Sequence, residues 1–217
     1  MPSEFPIERV NRDRFDQASE LLAAAFYDYP VMRFVIGEVE DQYPHRLAAL
    51  MDFFTEARFA GNDFIHAVLE DDALAAVAYI VRPRSKATAA SAGMDPLAKH
   101  RERIWTELGS ESLSRYEAFG AATARYSFPE PRFHLDMLGT RPESVGRGHG
   151  RRLLDFLHTL SRCDPDSVGV SLTTEDPANV PFYEHFGYKI VGHERFGAKT
   201  FQDGAEFESW GFFRPDD

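Results

Sequence analysis

Residues 139–153 read GTRPESVGRGHGRRL, and they predict a strand that runs into a glycine-rich turn and then into a helix. Hydrophobic residues alternate along residues 132–138, before the turn, and Leu153, Leu154 and Leu157 recur at helical spacing after it. The glycines remove side chains where the backbone bends, so successive amide groups at the helix start point toward one position. With the positive end of the helix dipole, these amides can hold a pyrophosphate group. The turn is therefore predicted to be an anion site.

Glycine spacing separates three phosphate-binding turns with which this stretch can be compared. A Rossmann turn requires G-x-G-x-x-G, whereas residues 146–150 read GRGHG and no clear second βαβ half accompanies them. A P-loop requires G-x-x-x-x-G-K-[ST]; its nearest approach, residues 192–200, has one residue too many and precedes no helical pattern. The third is the acetyl-CoA loop of the GNAT family of N-acetyltransferases, Gln/Arg-x-x-Gly-x-Gly/Ala after a strand. Residues 146–150 resemble it from the second position onward, with Val145 in place of the leading Gln or Arg.

A second segment, residues 171–188, reads SLTTEDPANVPFYEHFGY and resembles the second motif of the same family. In that motif a strand is followed by an Asn that opens a short helix, and a Tyr on the helix precedes a Gly-Phe or Gly-Tyr pair. Here Asp176 or Asn179 can cap the helix, and Gly187 can supply its left-handed stop. Asn179 and Tyr183 are four residues apart and share one helix face. The alternatives are a purely structural glycine turn and a Tyr183 that is only a core aromatic residue.

The resemblance implies the α/β (α+β) GNAT fold, with a central, mixed, mostly antiparallel sheet that is splayed at the acetyl-CoA site and flanked by helices. It implies acetyl-CoA (coenzyme A) as acyl donor, with backbone amides at the end of the motif strand polarising the acetyl carbonyl. It covers nearly the whole chain, although only the two motif segments are specific. The acetyl-CoA-binding residues that it implies are Leu138, Gly139, Thr140, Val145, Gly146, Arg147, Gly148, His149, Gly150, Arg151, Asn179 and Tyr183.

The rest of the sequence predicts a single domain that spans residues 1–217. Amphipathic patterns predict helices over residues 13–26, with Asp13 as N-cap, and over residues 43–59. Two strand-like runs, residues 62–69 and 73–81, predict a hairpin. The last strands are expected at residues 188–196 and 206–213, and Val168, Val170 and Leu172 alternate as a further strand.

A helical insertion is predicted at about residues 83–131, between the hairpin and the motif strand. An Ala/Ser-rich stretch, residues 86–93, leads to helical patterns near residues 96–108 and 111–126. Helical insertions at this place resemble those of the small-molecule branch of the family that includes puromycin N-acetyltransferase. The insertion is expected either to wall the acceptor pocket or to be surface padding.

Composition excludes several classes of function. The formal net charge of −11 argues against nonspecific nucleic-acid binding and favours a cationic acceptor. No run of about eighteen apolar residues predicts a membrane span, and the charged N-terminal stretch does not read as a secretory signal. Cys163 is the single cysteine, which suits a reducing, cytoplasmic location and an exposed or packing thiol. Histidine spacing and the lone cysteine imply no metal site.

Amine acetylation requires a base, because a free alkyl amine is protonated at neutral pH, and an acid for the leaving thiolate. By resemblance, Tyr183 is the candidate acid, since a helix Tyr of the family lies near the cofactor sulfur. The first candidate base is His134, which lies near where histone-acetylating relatives keep a Glu and shares a strand face with Asp136. The second is Glu175, directly after the second motif strand. Either residue could instead be a satisfied structural group or act through a water molecule.

The function implied by the resemblance is acetyl-CoA-dependent N-acetyltransfer to a primary amine, by direct attack in a ternary complex. The alternatives are a catalytically silent acyl-CoA or ligand-binding module with the same fold and a nucleotide-dependent oxidoreductase, which the glycine spacing disfavours. The expected partner is a small-molecule or peptide amine, with no nucleic acid and no membrane. The sequence allows a homodimer but does not determine oligomeric state, nor does it identify the acceptor.

Overall fold

The computed structural model of the protein describes residues 6–37, 41–61, 63–83, 95–196 and 206–216. The α-helices of this part of the chain are α1 (Phe15–Ala25), α2 (Pro30–Ile36), α3 (Tyr43–Ala60), α4 (Ala98–Leu108), α5 (Ser110–Thr123), α6 (His149–Cys163) and α7 (Val180–His185). Its strands are β1 (Ile7–Arg9), β2 (Phe64–Glu70), β3 (Ala73–Val81), β4 (Phe133–Thr140), β5 (Gly169–Thr174), β6 (Lys189–Phe196) and β7 (Phe207–Pro215). None of the described helices is long and apolar enough to cross a membrane.

The strands form one open sheet in the order β1-β2-β3-β4-β5-β7-β6. Neighbouring strands are antiparallel except β4 and β5, which are parallel. Parallel neighbours require a crossover connection, and the chain between them supplies α6. The predicted fold class, a mixed and mostly antiparallel sheet flanked by helices, is confirmed.

Two hydrophobic cores lie on opposite faces of the sheet. Alternate residues of β3 enter each core, because side chains of a strand point to opposite faces. Val77 and Tyr79 belong to the core that α1, α2 and α3 cover, whereas Ala78 and Ile80 belong to the core covered by α6 and α7. The insertion helices α4 and α5 pack against the first of these cores. Helices therefore cover the sheet on both faces at β3.

Several local predictions differ from the structure. Asp13 is not a helix N-cap, because it lies inside a 3₁₀ turn, Arg12–Arg14, that precedes α1. Val168 lies outside β5 and is 40% exposed. The sequence patterns missed β1, which is three residues long, and α2, which has Pro30 in its first turn, where proline is well tolerated. The predicted stretch 86–93 and residues 197–205, between the last strands, lie outside the described residues.

The predicted hairpin is present as β2 and β3, joined at Asp71 and Asp72. Both turn residues have positive φ angles, 51° and 63°, which Asp tolerates better than most residues. Helices α4 and α5 occupy the two helical patterns of the region between β3 and β4. Tyr126, just beyond α5, packs over a paired glycine position of β6 and β7, where a Cβ on Gly192 would lie 2.2 Å from its ring. Glycine therefore allows the end of the insertion to lie flat on the sheet.

Candidate active site

The sheet opens between the two parallel strands. β4 and β5 pair over Phe133↔Val170, His134↔Ser171 and Leu135↔Leu172, and their pairing ends there. Beyond Leu135, β4 continues along β3 to Thr140, while β5 continues along β7 to Thr174. A cavity of about 540 Å³ lies at this opening, lined by both strand ends, α7 and the insertion. Unpaired strand edges at the opening leave backbone groups that a ligand can use.

The glycine-rich loop lies directly after β4. Gly146 and Gly148 have φ angles of 84° and 81°, in the left-handed region that favours glycine. A Cβ at either position would meet nothing within 4 Å, so it is the backbone angle rather than crowding that requires glycine. α6 begins at His149, and the first amides of a helix have no acceptor within the helix. This loop therefore presents the donors and dipole end that an anionic group requires.

Part of the positive charge predicted for this loop is tied to Glu70 at the end of β2. Arg147 forms a hydrogen-bonded ion pair with Glu70, and Ser144 donates to Glu70 Oε2 at 3.2 Å. His149 is buried, with Nε2 at 3.7 Å from the same carboxylate. Although desolvation opposes it, hydrogen bonds from Arg147 and Ser144 lower the pKa of Glu70. Sequence reasoning missed Glu70, since nothing in the sequence links residues so far apart.

The side chains beside the loop differ in exposure. Val145 is 67% exposed at the position where the family has a polar side chain. Arg151 is also exposed, with Nε at 3.7 Å from Asp155 Oδ2 one helical turn along α6. An exposed pair of this kind contributes little to stability, so Arg151 can turn toward a ligand at low cost.

The second motif places Asn179 and Tyr183 at the opening of the sheet. Asp176 caps the 3₁₀ turn Pro177–Asn179, since its side chain accepts from the backbone of Ala178 at 2.9 Å. Asn179 Nδ2 then donates to Thr174 Oγ1 at 3.2 Å, which fixes the turn to the end of β5. Tyr183 follows on α7, and both Asn179 and Tyr183 line the cavity.

Tyr183 has a protonated hydroxyl at neutral pH. Its ring is 8% exposed and lies against Tyr188 and Phe212, at ring-centre distances of 5.8 and 5.7 Å. Burial, together with the nearby Glu175 carboxylate, raises the pKa of Tyr183 above the ordinary value of 10. The hydroxyl is therefore present as a proton donor at neutral pH, and its raised pKa makes it a weaker acid than an exposed tyrosine.

Glu175 is a buried carboxyl group that lines the same cavity. Its side chain is fixed by Ser209, whose Oγ donates to Glu175 Oε1 at 2.9 Å. Its backbone amide donates to the hydroxyl of Tyr29 at 3.0 Å. Burial raises the pKa of Glu175 to about 7, while hydrogen bonds from Ser209 and Tyr29 oppose the rise. A carboxyl group with this pKa exchanges a proton readily near neutral pH.

His134 also lines the cavity, but its electrostatics differ. Its Nδ1 lies 2.8 Å from Ser171 Oγ on β5, which also accepts a hydrogen bond from Arg132 Nε at 2.5 Å. Burial lowers the pKa of His134 to about 4; Asp136 opposes this, and Arg132 and Arg58 add to it. The imidazole is therefore neutral at physiological pH and a weaker base than Glu175.

Sequence patterns missed two residues that hold Glu175 and a third that holds one of them. The hydroxyl of Tyr29, between α1 and α2, lies 2.9 Å from Thr174 Oγ1 and accepts from the Glu175 amide. Ser209 lies on β7, and the Tyr126 hydroxyl donates to its backbone carbonyl at 2.6 Å. In the sequence, the aromatic cluster near Tyr29 indicates only a helix end, and no local pattern points to this role.

The chain is similar to known proteins in part of its sequence and in its fold. The model of the acetyltransferase (GNAT) domain matches residues 96–200. Solved structures similar to the chain include a histone acetyltransferase HPA2 and related acetyltransferase from Corynebacterium glutamicum ATCC 13032, with a TM-score of 0.65, 18% identity and 98% and 97% of the two chains covered. Arylalkylamine N-acetyltransferase 2 from Aedes aegypti has a TM-score of 0.63 at 14% identity, covering 99% of this chain and 100% of that chain.

A third similar structure is the polyamine N-acetyltransferase of Drosophila melanogaster, which catalyses the formation of N-acetylagmatine. Its TM-score is 0.57 at 16% identity, with 98% of this chain and 100% of that chain covered. At such low identities the likeness extends to the fold alone. The acceptor amines of these proteins therefore do not transfer to this chain.

A sheet opened between two parallel strands, with a glycine-rich loop and a helix start beside the opening, places the chain in the mixed α/β class. Both sequence motifs lie within residues 96–200, the stretch that matches the acetyltransferase (GNAT) domain. The resemblance stated from the two sequence motifs is thereby confirmed, whereas the puromycin N-acetyltransferase branch stays a prediction. Among the described residues, no group of three His, Cys, Asp or Glu side chains could hold a metal ion.

Proposed function

We propose that the protein transfers an acetyl group from acetyl-CoA to a primary amine by direct attack in a ternary complex. The observation that carries this proposal is one cavity lined by two titratable groups that differ in protonation state near neutral pH. Glu175 has a pKa raised to about 7 and can accept a proton, whereas Tyr183 stays protonated and can donate one. Burial raises both pKa values, and they remain far enough apart for one group to exchange a proton near neutral pH while the other stays protonated.

The residues present suit acetyl-CoA. The loop at Gly146 and Gly148 and the start of α6 supply backbone donors for a pyrophosphate, and Arg147 and Arg151 flank them. The opened edge of β4, at Leu138, Gly139 and Thr140, supplies backbone groups for an extended chain and an acyl carbonyl. When bound, acetyl-CoA would supply the activated acetyl group as a thioester. Val145 adds no polar contact, and the backbone donors do not depend on it.

In this mechanism Glu175 takes a proton from the ammonium form of the acceptor, and the neutral nitrogen then forms the bond to the acetyl carbon. The carbon–sulfur bond breaks, and Tyr183 gives its proton to the departing sulfur. The nitrogen loses its second proton, which restores Tyr183, and Glu175 passes its proton to solvent. Ser209 and Tyr29 hold Glu175 in place, so they are positioning residues. His134, hydrogen-bonded to Ser171, lines the cavity without acting as the base.

Two measurements test the proposal. Thermal unfolding is followed with acetyl-CoA, CoA and NAD, each at about 100 times the expected dissociation constant. A bound ligand at that excess adds roughly 2.7 kcal/mol, or a rise on the order of 5 to 10 °C. A rise with both CoA species but not with NAD is expected. No rise with either CoA species would remove the loop assignment and the function together.

The second measurement is thiol release with a panel of amines, for the native protein and Glu175→Gln. Removing a general base typically costs about 10²- to 10⁴-fold in turnover, so a loss of that size is expected. Glu184→Gln, on the exposed side of α7, is the matched control and should retain activity. Acetyl-CoA binding without acetyl transfer to any amine would favour the silent acyl-CoA-binding module instead. Full activity of Glu175→Gln would exclude Glu175 as the base.

A further inference from the structure

The acceptor end of the cavity is walled by aromatic side chains from two separate parts of the chain. Phe26, Tyr29 and Phe54 contribute from the α1–α3 side. Tyr116, Phe119 and Tyr126 contribute from the insertion. The two groups are in contact, since the Phe54 and Tyr116 ring centres are 6.2 Å apart. Aromatic walls on both sides of a cavity favour a ligand with a flat apolar body.

The arginines of the cavity are already paired. Arg58 has its Nη1 at 3.5 Å from Asp63 Oδ2 and its Nε at 3.9 Å from Asp136 Oδ2. Arg132 pairs with Glu130 and lies over the ring of Phe128 at 4.6 Å. Each guanidinium therefore has a protein carboxylate nearby to balance its charge, while Nε and Nη1 of Arg58 are buried and form no hydrogen bond with any described residue.

Glu175 is the remaining carboxyl group of the cavity. Its hydrogen-bond partners are neutral, and among the described residues it forms no ion pair. Asp136, the other carboxylate that lines the cavity, already faces Arg58. The cavity thus offers one anionic partner, enough for one ammonium group.

We propose that the acceptor is a primary monoamine attached through a short alkyl chain to an aromatic ring. The amine lies at Glu175, and the ring packs between the insertion helix α5 and the α1–α3 side. This assignment rests on the proposed function and adds the substrate class to it. The insertion then determines acceptor specificity, because Tyr116 and Phe119 of α5 form one wall of the ring site.

The charges of the cavity disfavour a polyamine. A second ammonium group would leave water without a carboxylate partner, and burial of an unpaired charge is costly. It would also share the cavity with Arg58 and Arg132, which carry the same sign of charge. A small alkyl amine meets no such penalty, but it leaves the aromatic walls unfilled and gains little from burial.

The experiment compares kcat/KM for 2-phenylethylamine, n-propylamine and spermidine with the native enzyme. We expect 2-phenylethylamine to exceed each of the other amines by about 10- to 100-fold, the usual discrimination of an apolar pocket for a missing apolar group. A preference for spermidine, or equal values for the two monoamines, would overturn the inference while leaving amine acetylation intact. The proposed function itself would fail if the protein did not bind acetyl-CoA and transferred acetyl neither to these three amines nor to any of a wider panel.

A pair of variants on α5 locates the ring site. Phe119→Ala should lower kcat/KM for 2-phenylethylamine about tenfold or more and leave that for n-propylamine within about threefold. Ser114→Ala, exposed on the same helix, is the matched control and should change neither value. Phe119→Leu keeps most of the side-chain volume in case the alanine variant does not fold, and an intact acetyl-CoA thermal shift verifies folding. An equal loss for both monoamines with either folded variant would contradict the assignment.

Discussion

The loop that suits acetyl-CoA and the cavity that suits the acceptor lie side by side, but they are built in different ways. The loop depends on backbone conformation within a few consecutive residues, such as Gly146 and Gly148 before α6. The cavity depends on side chains brought together from distant segments, such as Tyr29 with Glu175 and Tyr126 with Ser209. A contact of the first kind is encoded locally. One of the second kind exists only after the sheet and the insertion have packed.

The largest expected effect is on acetyl-CoA affinity, and it comes from a substitution in the loop. Gly148→Glu should lower acetyl-CoA affinity by at least about 100-fold, because a carboxylate would occupy the position of the pyrophosphate. Gly109→Glu is a close control, since Gly109 also has a positive φ, 89°, and open space around a Cβ. The control places the same charge away from the loop, and its backbone strain is at least as large, since Gly109 has ψ of 163° where Gly148 has 11°. Thermal shift or calorimetry measures the affinity, and retained binding by Gly148→Glu would show that the loop is misassigned.

The next largest effect is expected from the acid. Tyr183→Phe should lower turnover by roughly 10- to 1000-fold with little change in acetyl-CoA affinity, because the ring packing stays and the proton donor is lost. Tyr188→Phe is the control. Tyr188 lies five residues after Tyr183, and its hydroxyl is 2.9 Å from Nε2 of the buried His158. Loss of this hydroxyl should lower the stability of the protein and leave its turnover unchanged. Unchanged turnover of Tyr183→Phe with a good acceptor would exclude Tyr183 from the mechanism.

The cofactor side could be predicted from the sequence because glycine positions and helix starts are local signals. The strand, the turn and α6 lie where the spacing predicted them. The side chains on that loop were less predictable. The sequence predicts Arg147 as positive charge at the turn and as an acetyl-CoA-binding residue, and in the structure it pairs with Glu70, which lies 77 residues earlier in the chain. Such a pair follows from the neighbourhood of β2 and the loop, which no local pattern encodes.

The acceptor side was less predictable for the same physical reason. Glu175 and His134 could be proposed as bases from their positions, but the sequence could not rank them. Their pKa values move in opposite senses on burial, since burial favours the neutral form of each group. Burial of Glu175 depends on Tyr29, 146 residues away, and its orientation depends on Ser209, 34 residues away. Ranking the two bases therefore required the packed cavity.

A smaller effect is expected in the pH profile. A general base must be deprotonated, so turnover should rise with pH through about 7, the pKa of Glu175. Ser209→Ala removes a donor that stabilises the carboxylate, which raises that pKa and moves the rise to higher pH by about one unit. Ser19→Ala removes a similar hydrogen bond, to Asp52, between two residues that do not line the cavity, and should leave the profile in place. A profile that does not move with Ser209→Ala would mean that Glu175 is not the group observed.

The smallest expected effect is at His134, and it tests whether the cavity has one base or two. His134→Asn keeps a short polar side chain opposite Ser171 and should change turnover by less than about threefold. The pH profile separates the two candidates, because a base at His134 would place the rise near 4, where burial puts its pKa, rather than near 7. A large loss in His134→Asn together with a rise near pH 4 would assign the base to His134. In that case the burial of Glu175 would serve to hold the strand end and Tyr29, and the chemical part of the cavity would lie on β4, directly beside the cofactor loop.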